Sequence, residues 1–447
     1  ATAAMKLEWK TVPDVLKYIV YRSDVAEDQE GFTGYEKIGE SYTNSYTDTD
    51  PDATANVVWY YKVAAVNAGG TGEMSAAAQS QITGELQQQQ AEKLTDRALV
   101  AVDLSGDAGA QIRDTAGSTG VYLSWRSFSG DGNDAVYSIY KNGTKLTDTA
   151  VTNYIDEQGT AADIYRVEGN KDAALGLTPQ DTVVWGQQYL ELTLDCPEPQ
   201  TMPDGSSCSY VSNDMSVGDL DGDWKYELIV KWTPDNAHDN SQKGYTGTTI
   251  LDAYDIDMGT GSLTKLWRID LGINIRSGAH YTQFQVWDMD GDGKAEIMCK
   301  TADGTKDGTG EVIGDATADY RNASGYILDG PEYLTIFNGE TGKALDTIDY
   351  KPARGTYNWG DSYGNRVDRF LSCIAYLDGE HPYAVFCRGY YTRTALTAYS
   401  FKDGKLQEYW AFDTADMENG SQYEGQGDHQ VSVNDIDNDG KDEIIYG

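Results

Sequence analysis

Short runs of alternating apolar and polar residues recur along the whole chain, each closed by Gly, Asn or Asp. Leu7-Glu-Trp-Lys10, Tyr18-Ile-Val-Tyr-Arg22 and Trp59-Tyr-Tyr-Lys-Val-Ala-Ala-Val-Asn67 open the sequence in this way. Gly120-Val-Tyr-Leu-Ser-Trp-Arg126, Tyr137-Ser-Ile-Tyr-Lys141 and Thr152-Asn-Tyr-Ile-Asp156 repeat the theme. A period of two residues places alternate side chains on opposite faces of a strand, so the pattern predicts an all-β protein. Two small β-sandwich domains are expected, at 1–84 and 97–172, joined by a polar, helix-permissive linker at 85–96 that holds Gln87 to Gln90. From about residue 173 a different unit takes over.

That unit is built on one repeated hairpin. Val217-Gly-Asp-Leu-Asp-Gly-Asp-Trp-Lys-Tyr-Glu-Leu228, Trp287-Asp-Met-Asp-Gly-Asp-Gly-Lys-Ala-Glu-Ile297 and Val433-Asn-Asp-Ile-Asp-Asn-Asp-Gly-Lys-Asp-Glu-Ile444 share one spacing. A degenerate copy at 376–388 keeps the hairpin and lacks most of the carboxylates. In chain order, a second hairpin follows the copies at 217, 287 and 376, at Leu251-Asp-Ala-Tyr254 with Leu266–Asp270, Tyr333–Phe337 with Leu345–Asp349, and Leu396–Tyr399 with Trp410–Asp413. Two hairpins make a four-stranded sheet, and sheets repeated radially make a β-propeller. Three blades and the inner hairpin of a fourth are expected in 173–447, as part of a longer protein, with the strand around Trp185 beginning the first blade or completing the last.

Alternating aspartates on a tight turn aim hard oxygens at one point, the shell that Ca²⁺ prefers. The candidate ligands are Asp219, Asp221, Asp223 and Glu227; Asp288, Asp290, Asp292 and Glu296; and Asp435, Asp437, Asp439 and Glu443. The Glu stands at the ninth position of the motif, which excludes an EF-hand. Trp224 occupies the place where the turn has Gly293 and Gly440 in the other copies, a place suited to a left-handed backbone. Several bound Ca²⁺ ions and an extracellular setting are the expectation.

The net charge of −38 argues against nucleic acid or an anionic membrane as a direct partner, and no apolar run is long enough to span a bilayer. Of the five cysteines, Cys196 and Cys208 flank a Pro/Gly/Ser-rich loop and could pair in an oxidising compartment. Cys299 and Cys387 fall at the same place in two hairpins and read as buried thiols.

In a meander the acidic turn lies at one end of the sheet and the links from strand two to three, and on to the next sheet, lie at the other. Those links are long and polar: 233–242, 274–283, 301–309, 358–369 and 423–430 hold His238, His280 and His429, three of the four histidines. Second strands end in Lys231, Lys300 or Arg388, and Arg276, Arg366 and Arg369 lie on adjacent loops. Two readings stand side by side: strand-end charges paired with Asp235, Asp303 or Asp368, or a cationic groove for an anionic ligand, where Arg offers bidentate carboxylate geometry.

Residues 1–84 resemble a clipped fibronectin type III module, with an early-strand Trp and a late Tyr-Lys-Val-Ala-Ala-Val-Asn strand before Gly69-Gly70. The segments Gly278-Ala-His-Tyr-Thr-Gln-Phe284, Lys300-Thr-Ala-Asp-Gly-Thr305, Tyr326–Leu334, Asn365-Arg-Val-Asp-Arg-Phe-Leu371 and Arg388-Gly-Tyr-Tyr-Thr-Arg-Thr394 resemble the rhamnogalacturonan lyases of polysaccharide lyase family eleven. The similarity begins near 97 and is dense from 217 onward. It implies an eight-bladed propeller behind an N-terminal β-sheet domain, several Ca²⁺ ions and secretion by a pectin-degrading microbe, and a monomer is expected. It further implies β-elimination at the rhamnose-(1→4)-galacturonate bond of rhamnogalacturonan I. By motif, His429 corresponds to a histidine near the family's active-site calcium, and Asn236, Asp239 and Asn240 match the loop lining its cleft. The family's catalytic Lys and Arg are expected beyond Gly447. The competing readings are a calcium-stapled adhesion head, since integrin alpha chains share the acidic turn, and an inactive pectin-binding relative.

Overall fold

The computed structural model describes residues 5–80, 96–105 and 119–446, apart from 14, 28, 30, 49–57, 133, 258–260, 356 and 428. The linker expected at 85–96 thus lies outside the described residues except for Asp96. The protein is all-β, with helical turns among the described residues only at Ser129–Asp131, Asp172–Leu175 and Gly420–Gln422. Two compact units can be distinguished, one comprising the N-terminal strands with Ala375–His381 and Ser432–Ile445, the other Lys93–Ile374 and Pro382–Val431.

In the N-terminal strands, Met5–Glu8 pairs with Ser45–Asp48, while Glu36–Ser41, Lys17–Ser23, Tyr60–Asn67 and Gly70–Met74 lie side by side. Alternation selects the core. Tyr18 and Val20 are buried on one strand, Tyr61 and Ala64 on its neighbour, and Trp9 meets Tyr18 edge-on at 5.2 Å.

The next region is one continuous seven-stranded sheet, in which Thr182–Trp185 runs parallel to Val100–Asp103. The strand around Trp185 therefore belongs to this domain and neither begins nor completes a later sheet. Its register places Val184 opposite Ala101, and Val184 packs against the core of Ala101, Leu123, Tyr137, Ile139 and Tyr165. A buried Arg97 holds Asp131 and Asp172, each at 2.6 Å.

Three antiparallel sheets follow in chain order. The first runs through Tyr210–Gly218, Glu227–Pro234, Ile250–Asp257 and Ser262–Asp270. The second comprises Phe284–Trp287, Glu296–Ala302, Glu332–Phe337 and Ala344–Asp349, and the third Phe370–Ala375, Tyr383–Arg388, Ala395–Lys402 and Lys405–Asp413. A final hairpin pairs Val431–Asn434 with Glu443–Tyr446. The three meanders and the hairpin read from the repeats are all present.

One element was not legible as a strand. Thr305–Lys306 and Val312–Ile313 form a small hairpin that joins the far edge of the first sheet through Asp270 and Lys306. Thr305 donates to the Leu271 carbonyl at 2.9 Å. Neighbouring sheets share cores: Leu220, Ile229, Leu251 and Trp267 of the first pack with Val286, Ile297 and Phe337 of the second. Leu334 and Ile336 of the second pack with Phe370, Phe386 and Tyr399 of the third. None of the five cysteines is in a disulfide, Cys196 and Cys208 included. Cys299 and Cys387 are fully buried, as expected, and burial pushes the Cys299 thiol up to about 12.

Candidate functional site

The acidic turns sit between the first and second strands of the first and second sheets and of the final hairpin. In each, three carboxylates bring ligand oxygens within 4.8 Å of one another: Asp219, Asp221 and Glu227; Asp288, Asp290 and Glu296; Asp435, Asp437 and Glu443. The turn's own backbone orients them. Asp288 accepts from the N–H groups of Gly291 (2.7 Å) and Gly293 (2.9 Å), and Glu296 accepts from Met289 (2.9 Å). Glu227 and Glu443 receive the equivalent bonds from Leu220 (2.6 Å) and Ile436 (2.8 Å). Asp223, Asp292 and Asp439 are not in these groups; each accepts instead from the backbone N–H two residues on, at 2.8 Å. Burial, then the neighbouring carboxylates, raises Glu227 to about 7 and Glu296 to about 8. Carboxyls so crowded and dehydrated are a donor set that a hard cation would relieve, so the residues fit a metal. Trp224 has φ 72°, against 90° at Gly293 and 88° at Gly440, and so carries the left-handed conformation that the sequence anticipated.

The strand-end cations resolve in favour of pairing. Arg388, with no exposed side-chain surface, grips Glu332 at 2.7 and 2.9 Å and reaches Asp368 at 3.2 Å. Lys300 joins the same Glu332 at 2.8 Å, and Arg354 bridges Asp368 (2.9 Å) and Glu332 (3.4 Å). Burial opposes ionisation of Glu332, yet Arg388, Lys300 and Arg354 together hold it well below the usual carboxylate range. Lys231 pairs with Asp214 and donates to the Thr282 carbonyl (3.1 Å), so its partner is not Asp235. Arg276, 6% exposed, donates to the carbonyls of Gly244, Gly325 and Gln242 at 2.8, 2.6 and 2.9 Å. Arg276, Lys300 and Arg388, candidate substrate-binding cations for which the sequence left pairing and ligand binding side by side, thus hold loops and strand ends together. A strand-end position fixes where a side chain starts, whereas the acids it meets come from distant loops.

A different group of residues gathers on the long links. Asp239 Oδ2 accepts from His280 Nδ1 and from Arg369 Nη1, both at 2.8 Å, and Arg369 Nη2 donates to Asn365 at 2.8 Å. Burial would lower the Arg369 pKa, but the charge and hydrogen bond of Asp239 together with the nearby Tyr281 and Tyr390 hydroxyls outweigh it, and the net shift is upward. His280 and His429 meet edge-on, with ring centroids 5.1 Å apart, and the Tyr391 hydroxyl lies 2.9 Å from His429 Nε2. Asn236 shapes the loop by accepting from the Gly247 N–H at 2.9 Å.

The unmet hydrogen-bonding capacity here marks the place. Asn240 is 1% exposed, yet neither its side-chain oxygen nor its nitrogen has a partner, although its N–H donates to the Tyr281 hydroxyl at 2.6 Å. Asp239 Oδ1, His238 Nε2 and Arg369 Nε are buried without partners too. Each such atom costs about 1–3 kcal/mol and is uncommon in a folded protein. Several together beside two partly open imidazoles describe a polar site formed for something besides the fold. Its shape needs glycine: a Cβ on Gly364 would stand 2.7 Å from Asn240 Nδ2, and its φ is +80°.

Of the residues singled out in the sequence, Asp239, Asn240, His280, Arg369 and His429 come together here, with exposed Arg366 on the rim over Tyr391. His429 belongs to none of the three carboxylate groups described above. Tyr391, Tyr281 and the acids Glu332 and Asp368 were not identified as site residues. Tyr391 does lie inside the Arg388–Thr394 motif, the one available signal for it.

Comparison with known proteins identifies this architecture. The model for "Rhamnogalacturonan lyase family 11, C-terminal domain" matches residues 189–447, and that for "Rhamnogalacturonan I lyases beta-sheet domain" matches 89–185. The chain belongs to rhamnogalacturonan lyase family 11. It is 51% identical over 355 residues to rhamnogalacturonan endolyase YesW of Bacillus subtilis (strain 168), covering 79% of this chain and 54% of that protein. It is 52% identical over 332 residues to rhamnogalacturonan exolyase YesX of the same organism, covering 73% and 53%. The chain thus spans about half the length of the curated relatives it matches. The crystal structure of exotype lyase YesX superposes with a TM-score of 0.69 at 49% identity, over 79% of this chain and 56% of that one. Bacillus licheniformis rhamnogalacturonan lyase PL11 superposes with 0.69 at 52%, over 79% and 58%.

Proposed function

We propose that this chain carries the substrate site of a secreted, calcium-dependent rhamnogalacturonan lyase that cuts the rhamnose-(1→4)-galacturonate bond of rhamnogalacturonan I by β-elimination. One observation carries the reading: the unsatisfied polar atoms of His238, Asp239, Asn240 and Arg369 cluster beside His280, His429 and Tyr391. Family membership supplies the substrate class. In the reaction a base takes the C5 proton of galacturonate, a C4–C5 double bond forms, and the C4–O4 bond breaks with its electron pair leaving on O4, which then takes up a proton. Among the groups of this chain able to hold or move a proton here are the His238, His280 and His429 imidazoles and the Tyr391 hydroxyl. Asp239 fixes the His280 ring through Nδ1, which leaves Nε2 as the nitrogen able to accept a proton. The guanidinium of Arg369 keeps Asp239 in place.

The three acidic turns would hold Ca²⁺ through Asp219, Asp221 and Glu227, Asp288, Asp290 and Glu296, and Asp435, Asp437 and Glu443. Bound there, the ion supplies charge neutralisation that pins each hairpin. The three meander sheets and the final hairpin are read as blades of a propeller, the N-terminal strands as a fibronectin-like module, and the site as facing away from the acidic turns. The protein should release unsaturated uronate from rhamnogalacturonan I, and His429→Ala should lower turnover by about 10²-fold or more. Intact polysaccharide binding without unsaturated product would replace the lyase by a binding protein, and near-wild-type turnover in the variant would remove His429 from the site.

A further inference from the structure

Six arginines surround the cluster, and five of them are tied up by the protein itself. Arg369 holds Asp239 and Asn365, Arg388 holds Glu332 and Asp368, and Arg354 holds Asp368. Arg393 pairs with Asp413 at 2.5 Å, and Arg276 is surrounded by carbonyls. Arg366 differs. Its side chain is exposed and has no carboxylate or carbonyl partner among the described residues. Its guanidinium lies 5.8 Å from the centroid of the Tyr391 ring, whose hydroxyl contacts His429.

The position is built. Asp361 accepts the N–H groups of Tyr363 and Asn365, each at 3.1 Å, and of Arg366 itself at 2.8 Å, which fixes the base of the arm. Gly360 leaves room for the arm to lie down: a Cβ there would stand 2.7 Å from Arg366 Nη1. An arginine resting on an aromatic ring keeps the edge of its planar fork open for a carboxylate, and it has already lost much of its conformational freedom.

We propose that Arg366, laid on Tyr391, is the specificity-determining residue that reads a uronate carboxylate at this site and so separates acidic from neutral sugar. The inference rests on the lyase reading and sharpens it to a single cation. The five tied-up arginines cannot take this role without abandoning a buried acid or carbonyl. Arg366 can do so at no cost to the fold.

The test is calorimetric binding of two ligands to wild type, Arg366→Gln and Arg366→Lys. One ligand is an oligosaccharide of alternating rhamnose and galacturonate, and the other is the same oligosaccharide with its carboxyls reduced to the alcohol. Wild type should prefer the acid about tenfold or more. Arg366→Gln should lose that preference through weaker acid binding, with the neutral ligand bound as before. Arg366→Lys should keep only part of it, since an ammonium cannot form the bidentate pair. An acid preference that survives in Arg366→Gln overturns the proposal, even if the wild type releases unsaturated uronate normally. A wild type that neither binds the acidic oligosaccharide nor releases unsaturated uronate overturns the lyase reading, and this inference with it.

Discussion

Single residues record how the acidic turns work. Gly293 and Trp224 hold the same left-handed place in two copies of one turn, at φ 90° and 72°. An L side chain in that region costs roughly 1–2 kcal/mol, because Cβ crowds the following carbonyl. Nothing lies within 4 Å of a Cβ built on Gly293, so Gly293→Ala isolates the backbone term. It should lower stability by about 1 kcal/mol, read as a fall in Tm, and Trp224→Gly should be neutral or stabilising by a similar amount. Equal losses for both variants would show that the indole, not the backbone, governs the first turn. The oddity at Trp224 was legible in the sequence because the repeats supply their own comparison.

At the scale of elements, the ends of neighbouring strands are tied together by charge. Glu332 opens the third strand of its sheet and gathers Lys300 from the adjacent strand, Arg388 from the next sheet and Arg354 from a loop. Removing its charge leaves three cations facing a weakened counter-charge. Glu332→Gln should therefore cost about 3–5 kcal/mol in denaturant unfolding at neutral pH. The carboxyl is held well below its ordinary value, so its contribution is fully present above the unfolded carboxylate range, near pH 4.3, and is lost as pH falls through the lower folded value. Wild type and variant should then converge in strong acid, and a difference independent of pH would assign the loss to packing. The sequence offered Asp368 as one partner for the strand-end cations, which Arg388 does reach, but not Glu332, which holds three cations and lies 56 residues from Arg388 along the chain.

At the scale of the whole molecule, the question is what balances a net charge of −38. Three converging carboxylate groups account for part of the excess, and two of them carry a glutamate raised by burial and then by its carboxylate neighbours. Adding a chelator should lower Tm and lower unsaturated-uronate release together, since a ligand that binds only the folded state stabilises it by mass action. Ca²⁺ should restore both better than Mg²⁺, which demands a tighter octahedral shell. A Tm indifferent to chelation would remove the metal from the account of stability.

The sequence by itself determined the all-β class, the three meanders with their final hairpin, the acidic turns and the loops that hold His280, Asp239 and His429. These follow from local periods and repeats, which a chain displays residue by residue. Tertiary structure alone decided that Thr182–Trp185 completes the seven-stranded sheet, that Lys300, Arg276 and Arg388 are held by buried partners, and that Asn240 lies dry and unsatisfied. Each depends on contacts between segments distant in the chain, where pairing and burial are settled by packing and leave no periodic trace.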